Sequence, residues 1–280
     1  MIAVIGAAGR SGAALCRALR AAGRPFRPVV RNAAHWIYTG ISAEAVFAEL
    51  DNIPELARAL AGAETVVSTA PAGFTRFVLQ AAPGARRFVL MGSTRRFSRW
   101  PDPVGDAVRD TEAAFLASGR AGLMLHPTMI YGGGGPDHVR RLAAALRRLP
   151  LLPLPGGGTA LVLPIHQDDV TACLLAALDA GGPGPEALVV AGPQPLPYRD
   201  FAAAVAAAAG LKPPRFVGIP PGLLMRLAPL ARPPLLPRIA PEEVQRLTED
   251  QAFDVGPMRA RLGVVGRPLA QGLAQTFRTA

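Results

Sequence analysis

The chain opens on a short apolar run, Ile2-Ala3-Val4-Ile5, that turns at once into Gly6-Ala7-Ala8-Gly9-Arg10-Ser11-Gly12. Ala13 to Ala22 then reads as helix, with Leu15 and Leu19 one turn apart on one face and Arg17 and Arg20 turned elsewhere. Strand, glycine turn and helix in that order constrain the fold more than any other feature. Residues without a β-carbon let the backbone bend sharply and come close to a diphosphate. The N–H groups and positive dipole end of the new helix then face the anion. Gly6, Ala8, Gly9, Arg10, Ser11 and Gly12 are therefore the candidate diphosphate contacts. An ordinary tight turn is the bland alternative, and the flanking strand and helix weigh against it.

The same alternation continues. Apolar runs at Phe26–Val30, Val46-Phe47, Thr65–Ser68, Arg87–Met91 and Leu123–Leu125 predict five more strands. Between them, Ile53–Ala61, Phe74–Ala82 and Val104–Ser118 carry apolar residues at helical spacing. Repeated strand–helix units predict an α/β chain with a doubly wound parallel sheet. Ligands of such sheets lie beyond the carboxyl ends of the strands. That rule singles out Arg31, Leu50, Asp51, Thr69, Ala70, Pro71, Ser93, Thr94, Pro127 and Thr128.

Arg31 bears on the choice of cofactor. A carboxylate at the end of the second strand would bind the adenosine ribose hydroxyls of NAD, whereas an arginine suits the extra 2′-phosphate of NADP. The chain has Arg31 there and no acid until Glu44, and Arg10 adds a second guanidinium able to grip phosphate with two hydrogen bonds. NADP is expected rather than NAD.

The net charge of +10 raises the question of nucleic acid. With 30 basic residues and a single lysine, Lys212, 29 are arginines, and they are spread along the chain rather than gathered in a stripe. A basic solvated surface is the reading adopted, with no nucleic-acid partner. Half the residues are hydrophobic, yet no unbroken run approaches the ~20 residues that span a bilayer. Met1 stands directly before the first strand, which leaves no room for a leader, and Cys16 and Cys173 form neither a metal spacing nor a disulfide framework. A cytoplasmic protein with both cysteines buried is expected. His35, His126, His138 and His166 share no metal-ligand spacing, so no metal is expected.

Several stretches together resemble the extended and atypical short-chain dehydrogenase/reductases, in the epimerase/dehydratase-like and NmrA-like branch. They are Gly6-x-x-Gly9-x-x-Gly12, Ser68-Thr69-Ala70, Arg87–Ser93, His126–Gly132, Ile165–Val170 and Val189–Pro193 with Tyr198–Phe201. The resemblance implies a Rossmann NAD(P)-binding domain over residues 1–160, its sheet completed by parts of 161–195. A small substrate-covering α/β lobe would follow over 196–280. It also implies pairing of two copies through the helices that hold Phe77 and Phe115.

The pattern departs from that family where the chemistry should be. Active members carry Tyr-x-x-x-Lys on the helix after the fifth strand, the tyrosine moving a proton and the lysine lowering its pKa. Here Val104 and Val108 fall at those positions. A valine can neither move a proton nor tune a pKa. Ser93 or Thr94 occupies the helper-hydroxyl position, and Tyr131 and His126 are the other local candidates. Three readings follow: a non-standard NADP(H)-dependent oxidoreductase of a small, hydrophobic or quinone-like acceptor; a silent NADP(H)-binding sensor or assembly subunit; and a sugar-nucleotide epimerase/dehydratase-like enzyme.

The second half is loop-rich. Gly132–Pro136 reads as a hinge, Pro136–Arg148 as a basic helix, and Pro150–Gly158 as a loop that closes over a ligand or spans surface. Asp168 or Asp169 is expected to cap a helix over Val170–Leu178. Ile219–Pro241 mixes Leu223-Leu224-Met225, Leu227, Leu230 and Leu235-Leu236 with Arg226, Arg232, Arg238 and many prolines. Lobe core with punctuated turns is the plain account; a cationic apolar flap touching a membrane surface is the sharper one. Phe253–Phe277 predicts a short helix, a turn at Leu262-Gly263 and a closing helix.

Overall fold

The computed structural model describes residues 1–134, 137–148, 151–182, 184–223 and 241–278. The Gly135-Pro136 end of the expected hinge, Pro150, and most of the Ile219–Pro241 stretch lie outside the described residues.

In chain order the strands are β1 (Ile2–Ile5), β2 (Phe26–Val30), β3 (Val46–Phe47), β4 (Thr65–Ser68), β5 (Arg87–Met91) and β6 (Gly122–Pro127). They continue as β7 (Ile130–Tyr131), β8 (Leu151–Pro155), β9 (Leu161–Val162), β10 (Ile165–His166), β11 (Pro185–Val190), β12 (Leu196–Pro197) and β13 (Arg215–Ile219). The helices are α1 (Arg10–Ala21), α2 (Ala33–Ile37), α3 (Ile53–Leu60), α4 (Thr75–Ala81), α5 (Pro103–Ala117) and α6 (His138–Arg148). After them come α7 (Gln167–Asp179), α8 (Tyr198–Ala208), α9 (Pro241–Arg246), α10 (Gly256–Leu262) and α11 (Leu269–Arg278).

Seven strands form one sheet in the order β11-β6-β5-β4-β1-β2-β3, every neighbouring pair parallel. Their near-continuous apolar content is what a sheet buried on both faces requires. One face packs Leu15, Cys16 and Leu19 of α1 and Cys173, Leu174 and Ala177 of α7, joined by Met258 and Leu262 of α10. The other packs Leu56 and Leu60 of α3, Val78 of α4 and Phe115 of α5. Phe115 is thus part of the chain's own core and is not free to meet a second copy. A third apolar cluster, with Tyr131, Val139, Phe201, Val205 and Leu273, packs α6, α8 and α11 together.

Helix starts follow local chemistry. Asn32, Asn52 and Asp102 each accept a backbone N–H at the mouths of α2, α3 and α5, and Pro54 and Pro103 sit in first turns where no amide donor is needed. The start of α7 differs from expectation. His166 is its cap, its Nδ1 accepting from the Asp168 amide at 3.2 Å. Asp168 and Asp169 instead bind Arg267, whose amide and guanidinium both donate to Asp169. The carboxylates fasten the chain before α11 rather than cap α7.

The described part of the expected Pro150–Gly158 loop, from Leu151 on, is not a plain loop. Leu151–Pro155 is a strand paired in parallel with Arg215–Ile219, and a 3-10 turn follows over Gly156–Gly158. Two further small pairs, β10 with β7 and β12 with β9, lie outside the main sheet.

Candidate functional site

Because the sheet is parallel, the carboxyl ends of β1 to β6 share one rim, and the residues that follow them line up along it. The glycine corner forms first. Gly6 has φ +74, which side-chain-bearing residues rarely adopt, and a β-carbon on it would stand 2.9 Å from Thr69 Oγ1. A β-carbon on Gly12 would collide with the Gly6 carbonyl oxygen. The loop is therefore pressed flat against the helix start, and Thr69 pins it by donating to the Ile5 and Gly6 carbonyls at 3.0 and 3.3 Å. Helix α1 begins at Arg10 with no side-chain cap and no acid in its first turn. Its positive end is left for an anion. The Ser11 hydroxyl faces the other way and donates to Gln167 Oε1 at 3.0 Å, tying α1 to α7; only its amide faces the corner.

Arg31 follows β2 directly and is exposed. Among the described residues no carboxylate pairs with it or with Arg10. Arg31 borders a recess with Phe47, Glu49, Glu55 and Arg58. The Glu55 carboxylate accepts from the Glu49 amide at 3.2 Å. Leu50 and Asp51 stand between β3 and α3, and Ala70 and Pro71 after β4. Thr128, just past β6, is 5 % exposed, and its hydroxyl has no hydrogen-bond partner among the described residues. An orphaned buried hydroxyl at a strand end, an uncapped helix and a corner with no room for β-carbons are together what a dinucleotide would complete.

The reactive end of the rim lies after β5. Ser93 caps the following 3-10 turn, its Oγ accepting from the Arg95 amide at 3.2 Å. Its amide donates to His126 Nδ1 at 3.1 Å. Thr94 is buried and donates to the Pro127 carbonyl at 3.3 Å, so its hydroxyl is committed. Arg95 makes two hydrogen bonds to Asp102, of 2.7 and 2.5 Å, and Asp102 caps α5 through the Val104 amide at 3.0 Å. Burial alone would raise the Asp102 carboxyl; the Arg95 guanidinium and the Gly105 and Val104 amides outweigh it and hold the pKa below the ordinary range. Val104 is exposed, while Val108 is buried, its Cγ1 near Gly92. The two positions on this helix face are aliphatic in space as well as in sequence.

The other proton-bearing candidates are placed differently from expectation. Tyr131 is buried beneath α11 with its hydroxyl against Gly272, and burial raises its pKa far above the phenol range. Its ring meets His166 edge-on at 5.2 Å. It is a core residue of the α6–α8–α11 cluster and not an acid facing a substrate. His126 is 1 % exposed and stands with Nε2 2.7 Å from Glu112 Oε2. Burial, helped by Arg96, drops its pKa to about 4, so it is neutral at physiological pH. Sequence reasoning did not single out Glu112. Its signal was present: an acid four residues after Val108, on the same face of a helix and surrounded by apolar positions.

Residues 6–123 match a family model described as NAD(P)H-binding. An NAD(P)H azoreductase of Xenophilus azovorans is 28 % identical over 229 residues, covering 78 % of this chain and 77 % of that protein. The fold is shared with an NADPH-dependent quinone oxidoreductase of Escherichia coli, solved with NADPH, at TM-score 0.77 and 20 % identity over 99 % of this chain and 100 % of that one. It is also shared with a UDP-glucose 4-epimerase of Thermotoga maritima, at TM-score 0.73 and 17 % identity over 99 % and 97 %. The fold is Rossmann-type, and the likeness to NAD(P)H-binding proteins lies over residues 6–123. Among the described residues no helix is long and apolar enough to cross a membrane, and no cluster of side chains is arranged for a metal ion.

Proposed function

We propose that this protein is an NADP(H)-dependent oxidoreductase that reduces a conjugated acceptor, an azo compound or a quinone, without an enzymic acid of the tyrosine–lysine kind. The observation that carries the reading is the pairing of an intact diphosphate corner with the aliphatic Val104 and Val108. The azoreductase and quinone-oxidoreductase relatives support it. A bound reduced nicotinamide would supply a hydride, that is, two electrons and one proton. In balance, acceptor, NADPH and one proton give the two-electron-reduced acceptor and NADP+. Water supplies the proton, and the Ser93 hydroxyl donates a hydrogen bond to the acceptor atom that gains electron density. Gly6, Ala8, Gly9, Arg10, Ser11 and Gly12 hold the diphosphate through backbone amides. Arg31 and Arg10 grip the 2′-phosphate, Leu50 and Asp51 flank the adenine, and Thr69, Ala70, Pro71, Pro127 and Thr128 line the path to the nicotinamide.

The epimerase-like reading is the weaker one, because removing and returning a hydride at a sugar hydroxyl needs a base at the Val104 position. A silent NADP(H)-binding role fits the same two valines. Calorimetric titration with NADPH and NADH, followed by NADPH oxidation against azo dyes and quinones, separates these readings. Turnover with at least one acceptor class is expected. Tight binding with no oxidation across the panel would assign the silent role instead.

A further inference from the structure

Behind Ser93 lies a buried polar group drawn from three elements: Arg96 from the turn after β5, Glu112 from α5 and His126 from β6. Glu112 is 7 % exposed. His126 Nδ1 accepts the Ser93 N–H, which leaves the imidazole proton on Nε2, facing Glu112 Oε2. The same oxygen stands 2.7 Å from Arg96 Nε, and the Arg96 guanidinium lies over the Phe97 ring at 4.6 Å. The Arg96–Glu112 ion pair and the contact of the neutral imidazole with Glu112 are both close without hydrogen-bond alignment. Gly92 is what admits the imidazole: a β-carbon there would occupy the space of the ring. Ser93 is thus held twice, through its amide by His126 and through its Oγ lone pair by the Arg95 amide. Its hydroxyl proton is the group left to give.

We propose that His126, oriented by Glu112 and Arg96, is a positioning residue that aims the Ser93 hydroxyl at the acceptor. The inference rests on the reductase reading above. Packing alone gives no reason for the trio, since apolar side chains of similar volume would fill the space without the desolvation cost of buried charge. Its location gives one. Glu112 lies one turn beyond Val108, and His126 ends on the strand whose carboxyl edge carries Pro127 and Thr128. A neutral imidazole fixed in one tautomer accepts an amide N–H at all pH values near neutrality. No proton passes through the group, because the link to Ser93 is an amide N–H.

The test uses His126→Asn, His126→Leu and Glu112→Gln. Asparagine Oδ1 overlays imidazole Nδ1 and keeps the acceptor; leucine removes it. Two readouts are taken: amide exchange at Ser93 by NMR in the cofactor-free protein, and kcat, acceptor KM and NADPH Kd in the loaded one. His126→Asn is expected to keep Ser93 protection and kcat within about threefold of the parent. His126→Leu is expected to lose protection and to lower kcat about a hundredfold, the size of effect seen when one fixed donor is lost. NADPH Kd should stay within about twofold in both, because the diphosphate corner is untouched. If His126→Leu does not fold, Glu112→Gln carries the test, with kcat down about tenfold at unchanged NADPH Kd. Equal losses in the asparagine and leucine variants, or unprotected Ser93 in the parent, overturn the proposal. Normal turnover retained by all variants removes the positioning role alone. A parent that oxidises no NADPH with any acceptor removes the reductase reading and this role with it.

Discussion

At the scale of single residues, the glycine corner and Arg31 make separable demands. Gly12→Ala places a methyl against the Gly6 backbone carbonyl and within 2.8 Å of Thr69 Oγ1, so the loop after β1 must shift to admit it. We expect NADPH affinity to fall at least about tenfold, and stability to fall by about 1–3 kcal/mol from overpacking; calorimetry and urea melts read the two effects. Arg31→Ala removes a cation without disturbing packing, because the side chain is exposed and unpaired among the described residues. NADPH affinity should weaken about tenfold, roughly 1.4 kcal/mol, while NADH affinity stays level. Equal weakening of both cofactors would place the 2′-phosphate elsewhere.

At the scale of elements, the join between the turn after β5 and α5 depends on Asp102, which caps the helix and holds Arg95 at once. Asp102→Ala should cost about 1–2 kcal/mol at neutral pH from the cap alone. The carboxyl is held below its ordinary pKa in the folded chain, so its contribution is full above about pH 4 and fades as pH falls through the depressed value. The gap between parent and variant in a urea titration should therefore close in acid; a gap that widened below pH 4 would contradict the sign. Legibility from sequence follows the same division between local and distant causes. Strands β2 to β5 begin and end where their apolar runs do, and the later half of α1 shows in Leu15 and Leu19. The first turn of α1 was hidden, because a glycine and a serine carry no periodic signal. The β8–β13 pair joins segments some sixty residues apart, and nothing in Leu151–Pro155 alone distinguishes a strand from a proline-broken loop. The glycine corner of the candidate site was readable because its requirement is backbone geometry. The Arg96–Glu112–His126 group was not, because it exists only once three elements are packed; Tyr131 misled for the same reason, its burial being set by the distant Gly272.

At the scale of the whole molecule, a ligand that binds only the folded chain should raise its melting point. At about a hundred times Kd the gain is ~2.7 kcal/mol, which for a chain of this size is about 5 °C or somewhat more. NADPH should give that shift in differential scanning fluorimetry and NADH a smaller one; the reverse order would favour NAD as the cofactor. The high arginine content has a structural use on the opposite edge of the sheet. Arg27 donates to the Ala59 and Ala61 carbonyls at the end of α3, and Arg120 to Ala82, Pro83 and Ala85 after α4. These clasps close helix ends where the dipole is negative. That edge, far from Ser93 and the glycine corner, includes Gly84, with open space around it. Both native thiols are buried, their pKa values pushed up to about 12 by desolvation, and so are slow to alkylate. A Gly84→Cys variant should therefore take up one maleimide per chain, counted by mass spectrometry, with NADPH affinity unaltered. Such a handle would let the molecule be tethered to a resin or an electrode in a single orientation, its cofactor-facing side turned toward the bulk solution.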